Sequence, residues 1–146
     1  MTDPLHDIHH YSPNLTIAQV IKFCEKKDLP LSRPMVQNYI RDGLLPPPVN
    51  KRIYTHKHLA ALVVICRLKT VYDMPAIKAA LGPLMDEEGL PLETYKWLMH
   101  KQKDALDLWL AHVAPNIAGE VEDKQNLLIM AHAADIKKLV DVVEEI

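Results

Sequence analysis

Three consecutive prolines, Pro46, Pro47 and Pro48, follow directly on Gly43-Leu44-Leu45. Proline has no amide hydrogen and a fixed φ, so no helix can run through this stretch and no central strand can include it. The chain must therefore build separate pieces on either side of a stiff, extended excursion. That excursion returns through Val49-Asn50-Lys51-Arg52-Ile53-Tyr54, which is basic and β-prone.

Ahead of the prolines, the stretch from Ser32 to Leu45 reads as a short helix with both ends written in. Ser32 can cap the first turn, Pro34 suits a turn whose N–H groups lack partners, and Gly43 can take the left-handed conformation that ends a helix. Met35, Val36, Tyr39 and Ile40 form an apolar stripe. On the opposite side Arg33, Gln37 and Arg41 stand in a row with Asn38 beside them. These are hydrogen-bonding side chains with reach, the equipment of a helix that reads base edges. One element earlier, Thr16 with Gln19 makes a capping box, and Ile17, Val20, Ile21 and Cys24 recur at helical spacing to about Lys27. Asp28-Leu29-Pro30-Leu31 is a turn, so the pair is a helix-turn-helix candidate.

Beyond the excursion, Thr55 caps a third helix whose apolar face is Leu59, Leu62, Val63, Cys66 and Val71, flanked by Lys57, Arg67 and Lys69. Such a helix is core on one side. Asp73 before Met74-Pro75 restarts the chain as a fourth helix, with Ile77, Ala80, Leu81 and Leu84 inward and Gly82-Pro83 loosening its end. After the acidic linker Asp86-Glu87-Glu88-Gly89, the spacing of Leu92, Tyr95, Met99, Leu106, Trp109 and Val113 predicts a long amphipathic helix ended by Pro115-Asn116. A second seam runs through Ile129, His132, Ile136, Leu139, Val143 and Ile146. The two seams can close on each other as an antiparallel hairpin or pair with a second chain. The expected division is a mobile segment at 1–14, a compact domain at 15–85 and a helical dimerisation or effector region at 86–146.

At 146 residues, 49% hydrophobic and 25% charged, the chain can bury a core. Its longest apolar run, Leu59 to Cys66, is too short for a bilayer, and the N-terminus lacks the basic-then-apolar order of a signal peptide, so a cytoplasmic protein without membrane contact is expected. Residues 1–85 carry eleven Lys and Arg against six Asp and Glu, or +5, whereas 86–146 carry six against thirteen, or −7. The first part could follow a polyanion and the second would be repelled by one. Cys24 and Cys66 lack any partner at ligand spacing and read as reduced core residues. His6, His9 and His10 lack further ligands, and His56 and His58 fall on different faces of a helix, so no metal is expected. No nucleophile–base pair and no Gly-rich phosphate loop is present, which argues against an enzyme and against a cofactor.

Thr16-Ile17 opening a helix, Val36-Gln37-Asn38-Tyr39 with Gly43-Leu44-Leu45-Pro46, Arg52-x-Tyr54 before Leu59-x-x-Leu62, and Leu68-Lys69 before Met74-Pro75-x-Ile77 follow one another in a recognisable order. Over about Leu15 to Leu84 this resembles the N-terminal DNA-binding domain of MerR-family regulators, and more closely an uncharacterised bacterial family of MerR-like proteins of unknown function. The resemblance implies a mainly α protein: a winged helix-turn-helix domain followed by a C-terminal helical hairpin or dimerisation helices. It implies a recognition helix at 32–42 in the major groove, a wing at 46–54 on the backbone, and a homodimer on double-stranded DNA at a palindromic site. The chain departs from the family pattern at Gln37 and Asn38, and offers Lys51-Arg52 where the wing usually carries Tyr-Arg.

The expected function is thus a sequence-specific transcriptional regulator. Arg33, Gln37, Asn38 and Arg41 would read bases, while Tyr39, Lys51, Arg52, Tyr54 and Lys57 would hold the backbone. Leu106, Trp109, Val113, Ile129, Ile136, Leu139 and Val143 would form the dimer contact. A reading from another class is a non-enzymatic adaptor that binds a partner through its C-terminal helices and uses the winged domain as a scaffold. A third adds a small-molecule effector between those helices, beside Tyr95, Trp97 or Trp109.

Overall fold

The computed structural model describes residues 3–100, 127–135 and 137. The protein is mainly α-helical, and among the described residues no β-strand forms, only isolated bridges. The helices are α1 (Ile17–Lys26), α2 (Arg33–Arg41), α3 (His56–Leu68), α4 (Met74–Leu81) and α5 (Leu92–His100), with a further helical stretch at 127–135. Short 3₁₀ turns occupy Ile8–His10 and Gly82–Leu84.

Each of the first four helices starts where a capping side chain stands. Thr16, Ser32, Thr55 and Asp73 all accept a first-turn backbone N–H, and proline occupies an early position of α2 and of α4. α1 and α2 also end alike. At Asp28 (φ 57) and Gly43 (φ 76) the chain turns left-handed, and the next residue's N–H reaches back to the helix, Leu29 to the Cys24 carbonyl and Leu44 to that of Tyr39, each at 2.9 Å. This paired C-terminal bonding satisfies carbonyls the helix leaves open and sets the chain direction out of each helix. α1 and α2 pack on one another.

α3 is the centre of the molecule. Every residue from His58 to Ile65 is buried, not the single face its sequence pattern predicts. The reason is that other parts of the chain meet it from several directions. α5 packs on it, Leu90 N–H bonds the Lys57 carbonyl at 3.1 Å, and the Lys69 ammonium lies 5.4 Å from the centre of the Tyr39 ring on α2. Arg67 donates to the Asp135 carboxylate through Nη2 at 2.5 Å and Nε at 3.2 Å, so the 127–135 helix is joined to α3 as well. Val71, expected on the apolar face, lies beyond the end of α3 and is 42% exposed. Cys24 and Cys66 are free thiols, and burial pushes them up to about 12 and about 11, so both stay protonated and unreactive at neutral pH.

The N-terminal segment, expected to be mobile, is held at several points. Leu5 is buried in the core, Asp7 pairs with Lys27 at 2.7 Å, and the Tyr95 hydroxyl donates to the Asp3 carboxylate. Burial, with that carboxylate, keeps the Tyr95 phenol protonated. Nor does the expected boundary at 85 separate two cores. Leu90, Tyr95 and Leu98 share one apolar cluster with Leu59 and Leu62 of α3 and with Leu127 and Leu128.

Gly89 shows how closely the acidic linker is seated. Its φ is +133, and a Cβ there would lie 2.5 Å from the Lys57 carbonyl oxygen and 2.9 Å from the His58 nitrogen. Those backbone atoms belong to the first turn of α3 and cannot swing aside. Gly89→Ala is expected to lower unfolding free energy by ~2–4 kcal/mol, from overpacking and backbone strain together. A urea unfolding curve with an unchanged midpoint would contradict this packing.

Candidate nucleic-acid interface

Leu15 and Tyr54 exchange two backbone hydrogen bonds, Leu15 N–H to the Tyr54 carbonyl at 2.9 Å and Tyr54 N–H to the Leu15 carbonyl at 2.8 Å. Both residues are buried, so the pair is shielded from competing water. It ties the start of α1 to the end of the proline excursion. Just before Tyr54 the excursion doubles back, with Val49 and Ile53 bonded in both directions at 2.7 and 2.9 Å. Asn50 and Lys51, between them, have φ of 52 and 65. Positive φ at both central residues is what a tight hairpin turn with the native strand twist needs, and it puts Lys51 and Arg52 at an exposed tip.

Between this basic tip, the outer face of α2 and the first turn of α1 lies an open cleft of about 380 Å³. Arg33 and Gln37 line it from α2, Lys51, Arg52 and Tyr54 from the turn, and Thr16 and Ile17 from α1. Three of the seven lining residues are cationic and none is acidic. The first N–H groups of a helix have no intrahelical acceptor and carry partial positive charge, so the α1 terminus adds to this field. Burial raises the Tyr54 phenol above its ordinary value and the nearby Arg33 guanidinium opposes that, leaving a neutral donor at the cleft wall. Such a wall favours an anionic oxygen such as a phosphate.

The other expected site residues fall elsewhere. Asn38 and Arg41 are exposed on α2 but outside the cleft, with Arg41 3.5 Å from the Asp42 carboxylate in a solvent-exposed pair. Lys57 is engaged with Asp86 at 2.7 Å, and the hydrogen bond to that carboxylate raises its pKa. Tyr39 is corrected. It is buried on the inner face of α2, and its hydroxyl is sealed from solvent with no hydrogen-bond partner among the described residues, so it cannot hold a phosphate. Of the residues expected at a dimer contact, Ile129 is buried within the chain, and Leu106, Trp109, Val113, Ile136, Leu139 and Val143 lie outside the described residues. Tyr95 and Trp97 pack into or against the core, and Trp109 is outside the described residues.

Two contributions escape a reading of the sequence. One is the α1 terminus, which joins the site only through the Leu15–Tyr54 pair. The other is His58. It stands at the third position of α3, where a capping box ordinarily carries Glu or Gln, and its Nδ1 accepts the Thr55 N–H at 3.0 Å while its Nε2 lies 3.1 Å from the Pro47 carbonyl. A second, mainly apolar cleft of about 300 Å³ opens beside Tyr11 and Phe23, rimmed by Lys22 and Lys26.

The described part of the molecule is therefore a mainly helical protein with a basic cleft built from two helices and a turn. The chain belongs to the family described as domain of unknown function DUF1836, whose model matches residues 5–97. That match covers α1 to α4, ends within α5 and crosses both of the domain boundaries expected at 14 and 85. No curated protein matches the chain, and no solved structure does. Among the described residues no cluster of three or more His, Cys, Asp or Glu could hold a metal, and no helix is long and apolar enough to cross a membrane.

Because the Tyr39 hydroxyl is sealed and has no partner among the described residues, Tyr39→Phe is expected to leave stability unchanged or to raise it by ~1 kcal/mol, since an unpaired buried hydroxyl costs ~1–3 kcal/mol. A loss of stability on removing the hydroxyl, measured by thermal unfolding, would mean that it is bonded after all.

Proposed function

We propose that this protein is a sequence-specific DNA-binding transcriptional regulator. In this reading α1 and α2 are a helix-turn-helix, the 46–54 excursion is its wing, and the domain is of the MerR type. It works in the cytoplasm as a non-enzymatic homodimer on a palindromic site, with its C-terminal region contributing the dimer contact. The observation that carries the reading is the convergence of Arg33 and Gln37 with Lys51 and Arg52 on one open, acid-free cleft. A groove-reading helix needs a backbone grip beside it at fixed distance, and the cleft supplies both.

Within this reading α2 enters the major groove. Gln37 and Asn38 suit the N6 and N7 edge of adenine, and Arg33 or Arg41 reaches guanine or a phosphate. Lys51, Arg52 and the α1 terminus take the backbone, with Tyr54 as a neutral donor between them. Lys57 and Tyr39 have no part in it, for the first is paired with Asp86 and the second is buried. The departure from the MerR pattern at Gln37 and Asn38 falls on the base-reading positions and not on the wing's charge, which predicts a different site, not a loss of binding.

The division of labour is testable by titrating binding against salt. Gln37→Ala is expected to cost ~1–3 kcal/mol on the cognate site and to relax one base position. Arg52→Ala is expected to weaken cognate and random DNA alike and to reduce the salt slope by about one. Equal losses on cognate and random DNA for both variants would overturn it, and absence of binding by the wild-type protein at low salt would return the cleft to an adaptor role.

A further inference from the structure

His58 is wholly buried, yet both of its ring nitrogens are engaged. A backbone N–H can only donate and a carbonyl can only accept. Nδ1 therefore accepts from Thr55, at 3.0 Å, and Nε2 carries the proton and donates to Pro47, at 3.1 Å. This fixes a neutral tautomer that joins the first turn of α3 to the middle of the proline excursion. Proline nitrogens cannot donate, so Pro46, Pro47 and Pro48 are held through carbonyls and packing alone. Five residues after Pro47 comes Arg52, at the tip that lines the cleft.

We propose that His58 is a positioning residue for the basic turn: its neutral ring clamps Pro47 to the start of α3 and so holds Lys51 and Arg52 beside α2, while protonation releases the turn and weakens the hold on a polyanion. The effect on binding rests on the nucleic-acid reading above; the clamp itself does not. A proton added at Nδ1 would face the Thr55 N–H, donor against donor, and would break the cap at the start of α3. The Thr55 hydroxyl, 3.2 Å from Nδ1, is a neighbour able to turn and accept it.

The groups around the ring set the direction of titration. The Tyr54 ring meets it edge-on, with centroids 5.3 Å apart. Lys57 is its neighbour in sequence and is occupied by Asp86. Burial lowers the His58 pKa, opposed by the Pro47 carbonyl, the Glu88 carboxylate, the Pro46 carbonyl and the Asp86 carboxylate, and burial prevails. A base whose pKa is lower when clamped than when released is held most firmly above the ordinary imidazole value of about 6.5, and the clamp weakens as pH falls below it. The sign is opposite to that of simple charge. Added positive charge would by itself tighten binding to DNA.

His58→Gln separates the two effects. Glutamine at this position is the usual partner in a capping box, can accept from Thr55 through its carbonyl and can donate to Pro47 through its amide, and does not titrate. Wild-type protein and His58→Gln are compared on fluorescently labelled mixed-sequence duplex DNA between about pH 7.5 and about pH 5.5 at constant ionic strength. Amide exchange at Val49, Ile53 and Tyr54 is followed in parallel, corrected for intrinsic rates. The expected result is equal affinity at the upper pH, a severalfold relative loss by the wild type at the lower, and faster exchange of those amides in the wild type alone. Exchange that stays pH-independent in the wild type would overturn the clamp. Exchange that accelerates without DNA binding by either protein at any pH would keep the clamp and overturn the nucleic-acid reading. Should His58→Gln fail to fold, the wild type decides, because the turn must open in step with titration of the His58 ring by NMR and the proposal falls if the two diverge.

Discussion

The reciprocal backbone pair between Leu15 and Tyr54 is the constraint on which the cleft depends. Neither residue carries the chemistry of the site. Yet between them they bring the α1 terminus, fixed by the Thr16–Gln19 capping box, against a turn that ends some forty residues later in the chain. A single antiparallel bridge of this kind is weak in water. Here it is buried, flanked by Tyr54 packing edge-on to His58 and by His56 Nε2 lying 3.1 Å from the carbonyls of both Tyr11 and Ser12. The bridge is therefore locked from both sides by the first turn of α3. That turn is in turn overlaid by Gly89 and Leu90, so the acidic linker, the proline excursion and the N-terminal segment all converge on it.

Much of this was legible in the sequence, for local reasons. The starts of α1, α2, α3 and α4 could be read because Thr16, Ser32, Thr55 and Asp73 act within their own first turns. The end of α2 could be read because only Gly43 is free of strain at its φ. Asp28 does the same task for α1 without glycine's advantage, and the turn there was legible chiefly from Pro30. The exposed row Arg33, Gln37, Asn38 and Arg41 also followed from spacing alone. The rest depends on partners distant in sequence. That α3 is buried all round follows from four other segments choosing to pack on it. That Lys57 leaves the cleft follows from Asp86, and that residues 3–14 are held follows from Lys27 and Tyr95. Tyr39 was half legible: the apolar stripe announced its burial, and only its hydroxyl made an outward role attractive.

The charge division has a structural counterpart. Three of the eleven cations of the first part, Arg33, Lys51 and Arg52, line the cleft, while Lys27, Lys57 and Arg67 each pair with a carboxylate, Asp7, Asp86 and Asp135. Asp86 and Asp135 thus help to fasten α3 to its neighbours, and no acidic residue lines the cleft. A polyanion approaching α2 would meet a field made by the residues it touches. Membership of a family defined as a domain of unknown function leaves the chemistry of the cleft as the guide to what that approach achieves.

Selection of bound duplexes from a random pool with the purified full-length protein tests the central claim most directly, because it assumes neither the site nor the symmetry. The account predicts an enriched palindrome whose half-sites face the same side of the duplex, spaced by about one helical turn or a multiple of it. A pool that returns unenriched after repeated rounds at low salt would contradict it.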